Sequence, residues 1–276
     1  MALPVLALVQ TDPGPDKSLN LERTFALIDE AAASGADWVC RPETFHCRGP
    51  NEVKLATAEP VPGPLTEALT AAAKRHGIWL HAGSFNERTA GATKTWNLSL
   101  LFDPEGRQVA AYRKIHLFDV VVDGQVKAME SVRNRPGGDV VVADAPLGPI
   151  GMTICYDLRF PELFRILALR GATVVVLPSA FTARTGPAHW EVLVRARAVE
   201  DQVFVVAPGQ CGTSPGALAW HGHSLVVDPW GTVLADGGDR PGHVVADLDL
   251  DRLADVRARL PSLANRRPTT YRWPGP

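Results

Sequence analysis

The chain has 276 residues, of which 46% are hydrophobic and 21% charged, with a formal net charge of −2. This balance provides no basic surface for a polyanion, so a nucleic-acid partner is not expected, and the length suits one large domain or two small ones. No apolar run reaches the roughly 18 residues of a membrane span, and residues 1–4 bring no basic segment ahead of a short apolar strand, so a cytoplasmic protein with no membrane partner is expected.

Apolar periodicity predicts a strand over 4–10, a helix over 18–34 and a strand over 36–41. The last of these runs into Arg41-Pro42-Glu43 and places a carboxylate at a strand end. A helix over 64–76, a strand over 78–84 and a hairpin over 96–113 follow, and the hairpin delivers Lys114 and then His116. Strands are predicted over 139–144 and 149–154. The second ends at Cys155, where Tyr156-Asp157-Leu158-Arg159-Phe160-Pro161-Glu162 opens a helix over 158–170. A strand over 173–178, a helix over 187–202, a strand over 203–208, a hairpin over 222–235 and a strand over 243–248 lead to a short helix. Strands and helices alternate with hairpins among the crossovers. The fold class is therefore α/β with sheets that are not purely parallel.

Cys155 is the most informative of these strand-end residues. A thiol between a strand and a helix start has amide groups aimed at it, which favours a thiolate and any oxyanion formed beside it. Alone, such a cysteine also fits a core as a small hydrophobe. Glu43 and Lys114 change the balance, because a free thiol titrates near 8.5 and lowering that by two units takes about 2.7 kcal/mol, which a nearby ammonium is able to supply. The other cysteines, Cys40, Cys47 and Cys211, are too sparse for a disulfide framework, and Cys40, His46 and Cys47 lack a paired metal-binding spacing, so neither metal nor cofactor is expected.

The chain also repeats itself. Gly35-Ala36-Asp37-Trp38-Val39-Cys40-Arg41-Pro42-Glu43-Thr44-Phe45 aligns with Gly171-Ala172-Thr173-Val174-Val175-Val176-Leu177-Pro178-Ser179-Ala180-Phe181, and the hairpin turns Asp103-Pro104-Glu105-Gly106 and Asp228-Pro229-Trp230-Gly231 correspond in the same order. A duplicated strand-helix-hairpin unit suggests two similar sheets face to face with helices outside. In this alignment Ser179 is the counterpart of Glu43, so Ser179, Phe181 and Thr182 are expected to line one pocket with it.

Arg41-Pro42-Glu43-Thr44-Phe45, Tyr112-Arg113-Lys114-Ile115-His116 and Gly151-Met152-Thr153-Ile154-Cys155-Tyr156-Asp157-Leu158-Arg159 resemble, in order, the three signature blocks of the nitrilase superfamily, the carbon-nitrogen hydrolases. The likeness continues through Gly222-His223-Ser224 to about Arg266-Arg267-Pro268 and so covers almost the whole chain. It implies one domain over 1–276 with a tail from about 261, a four-layer α/β/β/α sandwich that pairs into a homodimer or larger homo-oligomer, and a catalytic triad of Glu43, Lys114 and Cys155. A second family glutamate maps onto Glu130. The implied reaction is hydrolysis of a small amide through a Cys155 thioester, with the oxyanion held by Lys114 and the Tyr156 backbone N–H.

The Cys155-Tyr156-Asp157 wording resembles the amidase branch that includes omega-amidases and deaminated glutathione amidases, rather than nitrilases proper, which usually have Cys-Trp-Glu there. Pro178-Ser179-Ala180-Phe181 and Gln210-Cys211-Gly212 lean towards the second of these. A carboxylate-bearing substrate would need a cation, for which Arg159, Arg48 and Arg184 are candidates. His116 is expected to support its loop, and His189 to cap or pack the start of a helix. Hydrolysis of a carbamoyl amino acid or a nitrile, acyl transfer to an amine, a redox thiol and a non-catalytic interaction module are the alternatives.

Overall fold

A computed structural model describes residues 3–122, 126–213 and 218–271. Its first half comprises β1 (Val5–Gln10), α1 (Lys17–Ala33), β2 (Trp38–Cys40), α2 (Asn51–Ala56), α3 (Pro64–His76), β3 (Trp79–His81), β4 (Phe85–Glu87), β5 (Trp96–Phe102) and β6 (Gln108–Arg113). A two-stranded connection, β7 (Asp119–Val122) and β8 (Val126–Met129), leads through a 3₁₀ turn at Glu130–Val132 into the second half. There β9 (Val142–Ala143), β10 (Ile150–Met152), α4 (Pro161–Leu169), β11 (Val174–Val176), α5 (Gly186–Asp201), β12 (Phe204–Ala207), β13 (Leu225–Val227) and β14 (Val233–Asp236) are followed by β15 (Gly242–Asp247) and α6 (Leu250–Arg259).

The helix ends follow local chemistry. Asp16 caps α1 by accepting the Leu19 N–H at 3.2 Å, and the inward positions Asn20, Thr24, Ile28 and Ala31 fall at helical spacing. Pro64 opens α3, and Gly77 closes it in the left-handed region at φ 63°.

Strand alternation builds the layers. Ala7, Val9, Val39 and Leu80 pack with Ile28 and Ala31 of α1 and with Leu65, Leu69 and Ala72 of α3. Their strand neighbours Leu6, Leu8, Trp38 and Cys40 belong instead to a core shared with Met152, Val174 and Val176 of the other sheet, and that core continues to Phe164 of α4 and Trp190 and Val194 of α5. The result is a four-layer α/β/β/α sandwich, because each sheet is apolar on both faces and needs a helix layer on one and a sheet on the other.

The two sheets carry the duplication. One runs β15-β1-β2-β3-β5-β4 with β6 also on β5; the other runs β14-β13-β12-β11-β10-β9. Parallel β1, β2 and β3 followed by antiparallel β5 and β6 correspond to parallel β10, β11 and β12 followed by antiparallel β13 and β14. The hairpin turns match atom for atom. Asp103 Oδ1 accepts from the N–H groups of Glu105 and Arg107, and Asp228 Oδ1 from those of Trp230 and Thr232, at 2.7 to 3.1 Å.

Three features depart from the expected elements. The strand expected over 139–144 shrinks to β9, the helix expected from 158 begins at Pro161 because Cys155–Arg159 is a 3₁₀ turn, and α2, β4 and the β7–β8 pair were unanticipated. Residues 261–271 of the expected tail form turns, and 272–276 lie outside the described residues.

The strand ends meet along one seam between the sheets. β2 leads to Glu43, β6 to Lys114, β10 to Cys155 and β11 to Ala180. Gly83 holds the first of these ends: at φ +66° a Cβ would sit 2.2 Å from Pro42 O and 2.7 Å from Arg41 O, while Ser84 N–H donates to Pro42 O and Ser84 Oγ receives Thr44 N–H, both at 3.1 Å. Gly83→Ala is therefore expected to lower stability by about 2 kcal/mol or more. An unchanged urea midpoint would show that this close approach does not constrain the Glu43 strand end.

Candidate active site

Lys114 is buried, and its Nζ lies 2.8 Å from Glu43 Oε1 and 2.9 Å from Glu130 Oε2. Asn97 Nδ2 spans the same two carboxylates, at 2.8 Å from Glu43 Oε1 and 3.2 Å from Glu130 Oε1. Glu130 also accepts from Phe118 N–H at 2.8 Å and Asn134 Nδ2 at 3.0 Å, and Glu43 Oε2 accepts from Ala180 N–H at 2.9 Å. Every oxygen of the two carboxylates is thus occupied, as buried charge requires.

Cys155 sits beside this cluster, close enough for the charges of Glu43 and Lys114 to act on its thiol. Its backbone is left-handed at φ 47° and is held by its own N–H donating to Pro178 O at 3.0 Å. Asp157 fixes the turn. Fully buried, it accepts from Ile154 N–H at 2.8 Å and Tyr112 Oη at 2.6 Å on one oxygen, and from His116 N–H at 3.1 Å and Nδ1 at 2.7 Å on the other. His116, stacked on Phe160 with ring centroids 3.6 Å apart, therefore supports the loop rather than the reacting groups.

The electrostatics correct one expectation. Burial, reinforced by the Glu43 carboxylate, pushes the Cys155 thiol well above its ordinary pKa, and Lys114 only partly offsets this. Burial first, and Glu43 after it, thus favour the neutral thiol over the thiolate. Burial works to discharge Lys114, but Glu130 and Glu43 outweigh it and hold the ammonium well above its usual value. Burial likewise opposes the Glu130 charge, yet Lys114, Arg133 and its hydrogen bonds bring it down to about 2.

These groups open onto a cavity of about 370 Å³ lined also by Tyr156, Arg159, Phe181 and Thr182. Ser179 does not face it. Its hydroxyl donates to Leu177 O at 3.1 Å, and Ala180 takes the wall position in its place. Arg159 is not paired with Asp157; it lies 5.2 Å from the Phe181 ring centroid and 3.3 Å from His189 Nδ1. His189 holds that guanidinium from α5 and is not a lining residue. Arg48 lines the cavity but is bound to Asp12 and to Cys211 O, and Arg184 is exposed and outside the lining. His46 is buried and driven down to about 3, and no group of three or more His, Cys, Asp or Glu among the described residues is arranged to hold a metal.

Sequence reasoning missed Asn97, Lys54, Arg133, Ala180 and Trp220. Asn97 had a readable signal, since an amide inside the apolar strand Trp96–Phe102 is costly without partners.

A layered α/β scaffold presenting a cysteine beside a glutamate-bound lysine has the makings of a thiol hydrolase. The chain belongs to the carbon-nitrogen hydrolase family, whose family model matches residues 5–258, and is a hydrolase of carbon-nitrogen bonds other than peptide bonds. It is similar to deaminated glutathione amidase of Homo sapiens, 44% identical over 98% of this chain and 84% of that protein. It is also similar to omega-amidase NIT2 of Homo sapiens, 41% identical over 96% of each chain. The crystal structure of Saccharomyces cerevisiae Nit3, a member of branch 10 of the nitrilase superfamily, superposes with a TM-score of 0.85 at 32% identity over 94% of both chains. The resemblance read from the signature blocks is borne out.

Two outcomes follow from the charges. Alkylation of Cys155 by iodoacetamide, followed by intact mass, should keep rising beyond pH 9 in the wild type, while Glu43→Gln, which leaves Lys114 unopposed by that carboxylate, should shift the profile to lower pH; coincident profiles would refute the arrangement. The Glu130 ion pair should contribute its full stability above about pH 4.5 and lose it as pH falls towards 2. Urea midpoints across that range should flatten in Glu130→Gln; an identical slope would exclude the pairing.

Proposed function

We propose that Glu43, Lys114, Glu130 and Cys155 hydrolyse a small carboxylate-bearing amide by way of a thioester. Glu43 takes the thiol proton as Sγ attacks the amide carbon, and Lys114 with the Tyr156 backbone N–H stabilises the oxyanion. Glu43 then gives the proton to the departing nitrogen, the C–N bond breaks and the acyl-enzyme remains. Water enters, loses a proton to Glu43, attacks the thioester and releases the acid with the thiol restored. Glu130 keeps Lys114 charged and in place.

The observation that carries this reading is the buried Lys114 bridging two carboxylates beside the Cys155 thiol at the floor of a cavity. The neutral thiol makes Glu43 a true base in the first step, rather than a spectator to a thiolate already formed.

Arg159 on the cavity wall is the receptor we assign to a substrate carboxylate on the acyl side. The relatives named for deaminated glutathione and for omega-amides support that class. An omega-amide loses ammonia, whereas deaminated glutathione loses the amine of a dipeptide. A homodimer belongs to the same reading, supported by exposed Val192 and Val199 on α5 and Ile166 and Leu169 on α4. So does a cytoplasmic setting, supported by four free cysteines; among the described residues no helix is long and apolar enough to cross a membrane.

Ammonia release from succinamate and amine release from deaminated glutathione should be seen in the wild type and lost in Cys155→Ala. Glu43→Gln should fall by about 100-fold or more while remaining folded. Substrate-dependent acylation should appear in the intact mass of the wild type alone. Turnover surviving in Cys155→Ala would sink the mechanism.

A further inference from the structure

Arg41 directly follows β2 and is fully buried, yet the reaction above does not use it. Strand alternation turns it to the same side as Val39, into the apolar layer beneath α1 and α3. Its Nη2 donates to Ala82 O at 2.8 Å, and its Nε and Nη1 have no hydrogen-bond partner among the described residues. No carboxylate among them offsets its charge, and burial pushes the guanidinium down to about 9. What faces it is aromatic: Cζ lies 3.7 Å from the Phe45 ring centroid and 5.8 Å from that of Phe25 on α1. An apolar side chain of similar length would suit this layer better, since a buried guanidinium short of partners is unfavourable.

The groups it grips all belong to the strand end that carries Glu43. Phe45 lies four residues beyond Arg41, with Glu43 midway. Between Glu43 and Phe45, Thr44 is left-handed at φ 41°, a conformation that a β-branched residue holds only where its surroundings impose it. The Arg41–Phe45 stack closes across this bend, and the Ala82 contact ties the closed bend to the next connection, where Gly83 packs on Pro42 O. His81 completes the brace. Its carbonyl accepts Arg41 N–H at 3.3 Å, its Nδ1 accepts Gly83 N–H at 3.3 Å, and its Nε2 lies 3.1 Å from Ser99 Oγ. That arrangement needs a neutral ring, and burial followed by the Arg41 charge drives His81 down to about 3. Facing the seam, Glu43 Oε1 meets Lys114 and Oε2 meets the Ala180 amide.

We infer that Arg41 is a positioning residue for Glu43: its guanidinium clamps Phe45 to the Ala82 carbonyl, at a cost to stability, and so fixes the bend that delivers the Glu43 carboxylate to Lys114 and the Ala180 amide. This rests on the reading of Glu43 as the base of the reaction. Arg41 touches no reacting group and adds no chemical step, so its effect on turnover runs through Glu43.

Arg41→Met keeps an unbranched apolar side chain in place and removes the guanidinium. Its urea midpoint should equal or exceed that of the wild type. Its kcat for ammonia release from succinamate should nevertheless fall by about 10-fold or more with KM nearly unchanged, as expected of a base misplaced by less than about 1 Å. Arg41→Lys, which keeps a cation over the Phe45 ring, should recover much of kcat. Adding Arg41→Met to Glu43→Gln should change kcat little, because both then act through one group. Iodoacetamide gives a readout that needs no substrate: displacing the Glu43 carboxylate should shift Cys155 alkylation in Arg41→Met to lower pH, whereas loss of a distant cation alone would shift it to higher pH. An unchanged kcat in Arg41→Met would overturn the role, as would an equal loss in the Glu43→Gln background, no recovery in Arg41→Lys, or an alkylation profile that stays put or moves to higher pH. Failure of Arg41→Met to fold, or a urea midpoint that falls in step with kcat, would make Arg41 merely structural and overturn the role as well. Wild-type protein inactive on both succinamate and deaminated glutathione, with the alkylation shift present, would count against the hydrolase reading and leave the positioning of Glu43 standing.

Discussion

The candidate site depends on one buried ammonium. Lys114 lies between Glu43 and Glu130 with almost no access to water, and each partner is tolerable only because of the others. A lone charge there would cost several kcal/mol in desolvation and would neutralise instead. Beside the cluster, burial first and the Glu43 carboxylate second push the Cys155 thiol above its ordinary pKa, and Lys114 offsets only part of this. The same environment places the Glu43 carboxylate close enough to act on that thiol.

The cluster is assembled across the duplication. Glu43, Lys114 and Glu130 come from the first half and its connection, whereas Cys155, Tyr156 and Ala180 come from the second. Backbone contacts across the seam hold the halves in register: Ala180 N–H reaches Glu43 Oε2, Gln210 Nε2 reaches Glu43 O at 2.6 Å, and Cys211 N–H reaches Thr11 O at 3.0 Å. A duplicated scaffold offers equivalent strand ends facing each other, and the halves have specialised them differently. One end presents the carboxylate Glu43. At the other, Ser179 turns its hydroxyl back to its own strand, and the following amide supplies the contact.

The order of strands and helices was readable because each sheet is apolar on both faces and its crossover helices show clean spacing. The Asp-Pro-x-Gly turns were readable because their geometry is local, and the family because its signature blocks are contiguous. What escaped reading depends on three dimensions. The helix bearing Lys54 has six residues and no buried side chain, so it leaves no periodic mark. The thiol's protonation turns on the balance between burial, Glu43 and Lys114, and proximity to an ammonium alone suggested the wrong direction. Ser179 aligned correctly with Glu43, but alignment places a backbone and not the rotation of its side chain.

Asp157 ties the Cys155 turn to the Lys114 strand end. Its carboxylate collects Tyr112 and His116, which flank Lys114, together with the amide of Ile154, which precedes Cys155. Four donors converging on one fully buried carboxylate are an expensive arrangement unless every donor stays in place. Displacing the Lys114 loop would therefore unpair Asp157, and displacing the Cys155 turn would do the same from the other side. The placement of Cys155 beside Glu43 and Lys114 is thus enforced by a residue that stands outside their cluster. Precision at the seam comes from this shared acceptor as much as from the strands that lead to it.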